Sequence, residues 1–173
     1  ATYIFAGIVT DCGCFSFDST TKETHLIAAE LIEQGIDAPE IIHKLYYEKS
    51  IGRFKLKNEV LSKAEFFHDN EVAVITFTNS EYMKTGTTSA DSEGVISNLM
   101  DISSVKIAFA ISEIIKNQAY KVSIRTKEKY NAIDIASKFN GGGHMRAAGC
   151  RINNTCKTVK TSLVETAIQY LER

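Results

Sequence analysis

The chain of 173 residues is 44% hydrophobic and 24% charged with a net charge of −1, which excludes a disordered or fibrous protein. One proline and ten glycines leave no Pro-rich or Gly/Ser-rich linker. No stretch approaches the roughly 18 consecutive apolar residues of a membrane span, so a compact cytoplasmic protein with no membrane partner is expected.

Tyr3 to Thr10 is almost wholly apolar and should be buried, but its periodicity does not separate strand from helix. Asp11 stands at its polar end. Thr20-x-x-Glu23 reads as the capping box of a helix carrying Leu26, Ile27, Leu31 and Ile32 and stopped by Gly35. Asp37 and Pro39 announce a second helix with Ile41, Ile42 and Leu45 along one side. The stretch from Phe54 to Leu61 continues helically. The pattern then changes to period two: residues 64–68 and 72–77 around Asp69-Asn70 predict a β-hairpin, and a second domain is placed near residue 56. Short helices are expected at 80–85, stopped by Gly86, and at 92–99. Strands are expected at 105–111 and 120–125. A helix over 133–139 runs into Gly141-Gly142-Gly143, and an amphipathic helix from Val159 to Leu171 closes the chain. Alternating strands and helices give the α/β class with a mixed sheet.

The near-neutral charge conceals an asymmetry. From Lys121 to Lys160 there are nine Lys and Arg against Glu128 and Asp134, a net of +7, so the remainder carries −8. Such a run is either a solvated basic face or a seat for an anionic ligand such as phosphate or nucleotide. Within it lies Asn140-Gly141-Gly142-Gly143-His144, followed by Ala147-Ala148-Gly149. Three successive glycines cost backbone entropy, so they suggest either close approach to the backbone, as in an anion nest with His144 as an added donor, or a flexible loop. The pattern is neither a Walker loop nor a Rossmann fingerprint. On the strand that ends Ser123-Ile124-Arg125, alternation puts Ser123 and Arg125 on one face, which suits either bidentate recognition of phosphate or an ordinary solvent-facing edge. Asp11 reaches solvent, caps an N–H or binds a cation, and one carboxylate does not hold a catalytic metal alone. Cys12, Cys14, Cys150 and Cys156 are expected as reduced thiols, with a zinc site that adds His144 as the alternative. The opening Ala1-Thr2-Tyr3 has neither an initiator Met nor a secretory signal, so a longer parent chain is expected.

Taken together, the segment Gly7-Ile8-Val9-Thr10-Asp11-Cys12-Gly13-Cys14-Phe15, the basic strand ending Ser123-Ile124-Arg125-Thr126, and Gly141-Gly142-Gly143-His144-x-x-Ala147-Ala148-Gly149 resemble the DHH superfamily of phosphoesterases, in its bacterial nanoRNase/pAp-phosphatase branch. The resemblance implies that residues 1–55 are the end of a catalytic domain and its connecting helices, with Tyr3–Val9 helical. It implies that residues 56–173 are a DHH-associated substrate-binding domain. Manganese would be the cofactor, with Asp11 as one ligand and the other ligands upstream. Gly141, Gly142, Gly143 and His144 would contact substrate phosphate, beside Ser123, while Arg125 orients the nucleotide. The reaction implied is metal-assisted attack of water on phosphorus in very short RNA, and in pAp, giving mononucleotides. Partners would be short RNA or nucleotide phosphates, the missing N-terminal domain, and a second copy in a homodimer. Cys12 stands where Thr is usual and Thr126 where Ser is common, and no role is carried onto Arg146. The rival readings are a cyclic-dinucleotide phosphodiesterase or RecJ-type exonuclease, a non-catalytic nucleotide-binding module, and a structural domain that dimerises through Leu163 and Ile168.

Overall fold

The apolar opening of the chain forms a helix, α1 (Thr2–Asp11), which buries Phe5 and Val9 at i, i+4 spacing. The computed structural model describes residues 1–127 and 129–172, so Glu128 of the basic segment lies outside the described residues. Helix α2 (Lys22–Glu33) is capped by Thr21, one residue later than expected: its hydroxyl accepts from the Thr24 N–H at 3.2 Å while the Thr24 hydroxyl accepts from the Thr21 N–H at 3.1 Å. Thr24 thus does what Glu does in a capping box. Asp37 caps α3 (Ala38–Ile42) by accepting from the Glu40 N–H, and a π-helical turn, His43–Tyr47, follows. Phe5, Val9, Ala28, Leu31 and Ala38 form the core of this first unit, Ala1–Ser50.

The second unit, Ile51–Arg173, begins with α4 (Ile51–Ser62). The division expected near residue 56 therefore falls inside a continuous helix, whose Leu56 and Val60 are buried in that unit's core. Among the described residues six strands follow: β1 (Glu65–Phe67), β2 (Val72–Phe77), β3 (Ile107–Ile115), β4 (Ala119–Thr126), β5 (Gly142–His144) and β6 (Ala147–Asn153), in the sheet order β1-β2-β3-β4-β6-β5. Among the described residues only the β2–β3 pair is parallel. Its crossover carries α5 (Asn79–Thr85), stopped by Gly86 at φ 66, a 3-10 turn (Ser89–Ser92) and α6 (Ser97–Met100). The helix expected over 92–99 is broken because Gly94 adopts φ 79. Helix α7 (Ala132–Ala136) runs on as a 3-10 turn to Asn140, and α8 (Cys156–Leu171) is capped by Thr155. Among the described residues no helix is long and apolar enough to cross a membrane.

Strand alternation gives the sheet two faces, and they are treated differently. Val74, Phe109, Tyr120, Val122 and Ile124 face α7 and α8 in one core. Ala73, Ile75, Phe77, Ala108 and Ala110 face α4, α5 and α6 in the other. No residue of β4, β5 or β6 belongs to that second core among the described residues, so over half the sheet the second face is covered by no apolar core: Ser123, Arg125, Ala147 and Gly149 there are half-buried, and Gly142 and His144 are exposed. The stripe of α8 is spent on the first core. Leu163 is 0% exposed, which corrects the expectation that it could serve a dimer interface. Leu163→Ala is expected to destabilise the protein by about 2–4 kcal/mol, read from urea unfolding, because the surrounding strands and helix cannot collapse onto the void. A change below about 0.5 kcal/mol would contradict this packing.

Candidate functional site

The three glycines do not form a nest. Gly142–His144 is an edge strand, paired to β6 through Gly142↔Gly149, Gly143↔Ala148 and His144↔Ala147. Successive N–H groups of a strand point to opposite edges and cannot converge on one anion. Close approach to the backbone is nonetheless real, and the neighbour is β6. A Cβ on Gly141 would lie 2.3 Å from the Gly149 carbonyl oxygen, and one on Gly143, at φ 148, would lie 2.6 Å from that of Ala147. Gly142 differs, since nothing stands within 4 Å of a Cβ there. Two glycines serve the hairpin, and the third leaves a bare surface.

The register then joins residues that are far apart in sequence. Ser123 pairs with Ala110 and Gly149, and Gly149 pairs with Gly142; Arg125 pairs with Ala108 and Ala147, and Ala147 pairs with His144. Residues in one row share a face, and alternation places both rows on the second face. At about 4.8 Å per strand, the backbones of Arg125 and His144 stand about 10 Å apart. Only the Ala147 methyl lies in the row between them. Val122 and Ile124 point the other way and are fully buried, as the alternation predicts. Sequence reasoning did not single out Ala147 and Gly149 as the floor of this face. The signal was the small residues at every second position before Arg151.

Arg125 is half-buried, and its Nη1 donates to the Ile124 carbonyl at 3.0 Å. Burial lowers the guanidinium pKa, while the Glu93 carboxylate works against that shift. The group still carries its charge at neutral pH. The turn beside the site is fixed by main-chain contacts. The Thr126 hydroxyl donates to the Tyr130 carbonyl at 2.7 Å, and Arg146 Nη1 donates to Tyr130 at 2.8 Å and to Lys127 at 3.2 Å. Arg146 therefore ties a loop to the β5–β6 turn.

The cysteines are free, and Cys12 and Cys150 are buried. Burial pushes the Cys150 thiol up to about 11 from its ordinary 9.0. The unfolded thiol ionises first as pH rises, so its contribution is complete below the ordinary value and is lost on the way to the folded one. Stability should fall by about 1–2 kcal/mol across that window, and Cys150→Ala should flatten the fall in alkaline urea titrations. Parallel curves for the two proteins would contradict the assignment.

Asp11 lies exposed at the C-terminal end of α1, in the first unit. Among the described residues no group of three or more His, Cys, Asp or Glu could hold a metal ion. The described residues by themselves therefore build neither the zinc alternative nor a manganese centre, which would need ligands besides Asp11, and no chemical step is routed through a metal. After Asp11 the chain turns through Gly13, Cys14 and Phe15, all left-handed, at φ 54, 54 and 64. Cys14 donates to the Val9 carbonyl at 2.8 Å, and the Phe15 N–H donates to Cys12 Sγ at 3.3 Å. Such geometry is disfavoured for residues with side chains, and these contacts hold it.

A six-stranded mixed sheet with helices packed on it, and with Ser123, Arg125 and His144 in neighbouring rows of one face, defines an α/β domain. Residues 69–173 match the DHHA1 domain, and the chain belongs to that family. It is 30% identical over 154 residues to the bifunctional oligoribonuclease and PAP phosphatase NrnA of Bacillus subtilis, covering 88% of this chain and 47% of that protein. The Thermus thermophilus protein of the same name is 30% identical over 152 residues, 88% of this chain and 44% of its own. The crystal structure of an exopolyphosphatase-related protein from Bacteroides fragilis matches with a TM-score of 0.85 at 31% identity, over 99% of this chain and 49% of that one. The chain thus spans about half the length of the relatives it matches. The resemblance to the nanoRNase/pAp-phosphatase branch of the DHH superfamily holds.

Proposed function

We propose that this chain is the substrate-holding part of a phosphoesterase that hydrolyses very short RNA, and pAp, to mononucleotides, with the β4–β6–β5 face seating a substrate phosphate. The observation that carries this reading is the register, which brings Arg125 and Ser123 into rows with His144 and Gly142 across a floor of Ala147 and Gly149. The names of the two relatives support the substrate class. On this face the Arg125 fork binds phosphate oxygens, the Ser123 hydroxyl and the His144 imidazole add donors, and Gly142 lets the phosphate approach the strand. The end of a catalytic domain with its connecting helices, and the substrate-binding domain, are assigned in the same proposal to residues 1–55 and 56–173, a division that the compact units Ala1–Ser50 and Ile51–Arg173 support to within a few residues. Asp11 is proposed as one carboxylate of a manganese centre in a cytoplasmic enzyme. The residues described here bind and orient the ester.

Hydrolysis of an RNA dinucleotide and of pAp by the intact protein tests this. His144→Ala is expected to lower kcat/KM for both by about a hundredfold, the range for loss of one well-placed donor. Equal kcat/KM in variant and wild type would overturn the assignment of the site. Tight binding without any hydrolysis would favour the non-catalytic module.

A further inference from the structure

His144 stands on weak local structure. Strand β5 has three residues, two of them glycine, and at the edge of the sheet it pairs with β6 alone. The chain returns through a two-residue turn, Met145-Arg146, and neither residue has a positive φ. Two-residue hairpin loops favour mirror-image turns, which require positive φ, because other turns splay the strands. Pairing holds β5 to β6, but the turn that closes the hairpin is not favoured by its own sequence. The imidazole is exposed, and among the described residues it has no hydrogen-bond partner to fix it.

What holds the turn comes from outside it. Arg146 is half-buried, and its Nη1 donates to the Tyr130 carbonyl at 2.8 Å and to the Lys127 carbonyl at 3.2 Å. The Ala132 N–H donates to the Met145 carbonyl at 2.7 Å, and the Thr126 N–H donates to the Arg146 carbonyl at 3.3 Å. Both turn carbonyls and the Arg146 guanidinium are thus bound to the end of β4 and to the connection that leads from it to α7. That connection is anchored in its turn. Lys127 Nζ donates to the Ile102 and Ser103 carbonyls at 2.7 and 3.0 Å, and the Asn131 N–H donates to the Tyr170 hydroxyl at 3.1 Å. The Lys106 ammonium lies 6.0 Å from the centre of the Tyr130 ring. Hydrogen bonds from a guanidinium are charge-assisted, and its planar fork gives them a fixed direction. Arg146 therefore supplies, from the neighbouring segment, the closure that the turn residues do not.

We propose that Arg146 is a positioning residue: through the β5–β6 turn it sets where His144 meets the substrate phosphate, without touching the substrate itself. This rests on the reading given under Proposed function. Loss of Arg146 then acts through His144, and has nothing to act through once His144 is gone.

The test is a double-mutant cycle on hydrolysis of an RNA dinucleotide by the intact protein, with Arg146→Gln made in wild type and in His144→Ala. Arg146→Gln is expected to lower kcat/KM about tenfold when His144 is present and less than about twofold when it is absent. Arg146→Lys keeps the charge but loses the planar fork; it should show the same dependence on His144, and it stands in if Arg146→Gln does not fold. A purely structural role would lower kcat/KM by the same factor in both backgrounds, and that result overturns the proposal. Dinucleotide binding reads the charge separately. The slope of log K against log salt should be unchanged by Arg146→Gln, and a slope shallower by about 0.7 would show that Arg146 holds a phosphate itself, which also overturns it. Arg146→Gln as active as wild type, beside a His144→Ala about a hundredfold weaker, overturns the positioning role alone. His144→Ala as active as wild type removes the site, and this role with it.

Discussion

Gly143→Ala is expected to cost the protein about 3 kcal/mol, while Gly142→Ala one position earlier changes stability by less than about 0.5 kcal/mol. The difference follows from what each new methyl would meet. At Gly143 it is driven onto the Ala147 carbonyl and the Ala148 Cα, at 2.6 and 2.7 Å, from a backbone at φ 148 that only glycine adopts freely. Both obstacles are main chain in the partner strand, so relief requires the β5–β6 hairpin to open. At Gly142 the methyl enters open space. Its effect should appear in binding, because that space lies in the row of Ser123 and Gly149. Dinucleotide affinity of Gly142→Ala should fall about tenfold while its urea midpoint stays put. A destabilised Gly142→Ala, or a Gly143→Ala as stable as wild type, would contradict the described hairpin.

The second large effect is expected at Arg125. Arg125→Gln should weaken dinucleotide binding by about 30-fold, the range for one charge-assisted hydrogen-bonding group at a half-buried position. Arg125→Lys should recover only part of this, because an ammonium keeps the charge but loses the planar fork. Stability should change by less than about 1 kcal/mol, since Nη1 makes a single local bond, to the neighbouring Ile124 carbonyl. Binding within twofold of wild type in Arg125→Gln would show that the phosphate sits elsewhere.

What the sequence disclosed and what it concealed divide along physical lines. The face shared by Ser123 and Arg125 was legible because β4 alternates cleanly, with Val122 and Ile124 fully buried on the other side. The α8 stripe, the β1–β2 hairpin and the stop at Gly86 were legible for the same reason, each carrying a period or a turn residue with one physical meaning. Strands β5 and β6 were not. Gly142-Gly143-His144 and Ala147-Ala148-Gly149 have low strand propensity and too few large residues to show alternation. Their strand conformation is imposed by pairing, of β6 with β4 and of β5 with β6, and the β4–β6 ladder is a contact that no local pattern records. The helical state of α1 was left open by periodicity and followed from the family resemblance alone, since only Phe5 and Val9 are buried in it. The motif glycines were noticed as a candidate site, but their geometry, two packed against β6 and one left bare, needed the register.

The most direct test of the central claim is a map of amide chemical-shift changes as an RNA dinucleotide is titrated into the isotope-labelled chain. The account predicts shifts concentrated on β4, β6 and β5, at Ser123, Arg125, Gly142, His144 and Gly149, with saturation, and little change along α8 behind the sheet. Shifts confined to the cleft between α7 and α8, near Lys138 and Gln169, or no saturable shift at all, would contradict the placement of the nucleotide on this face.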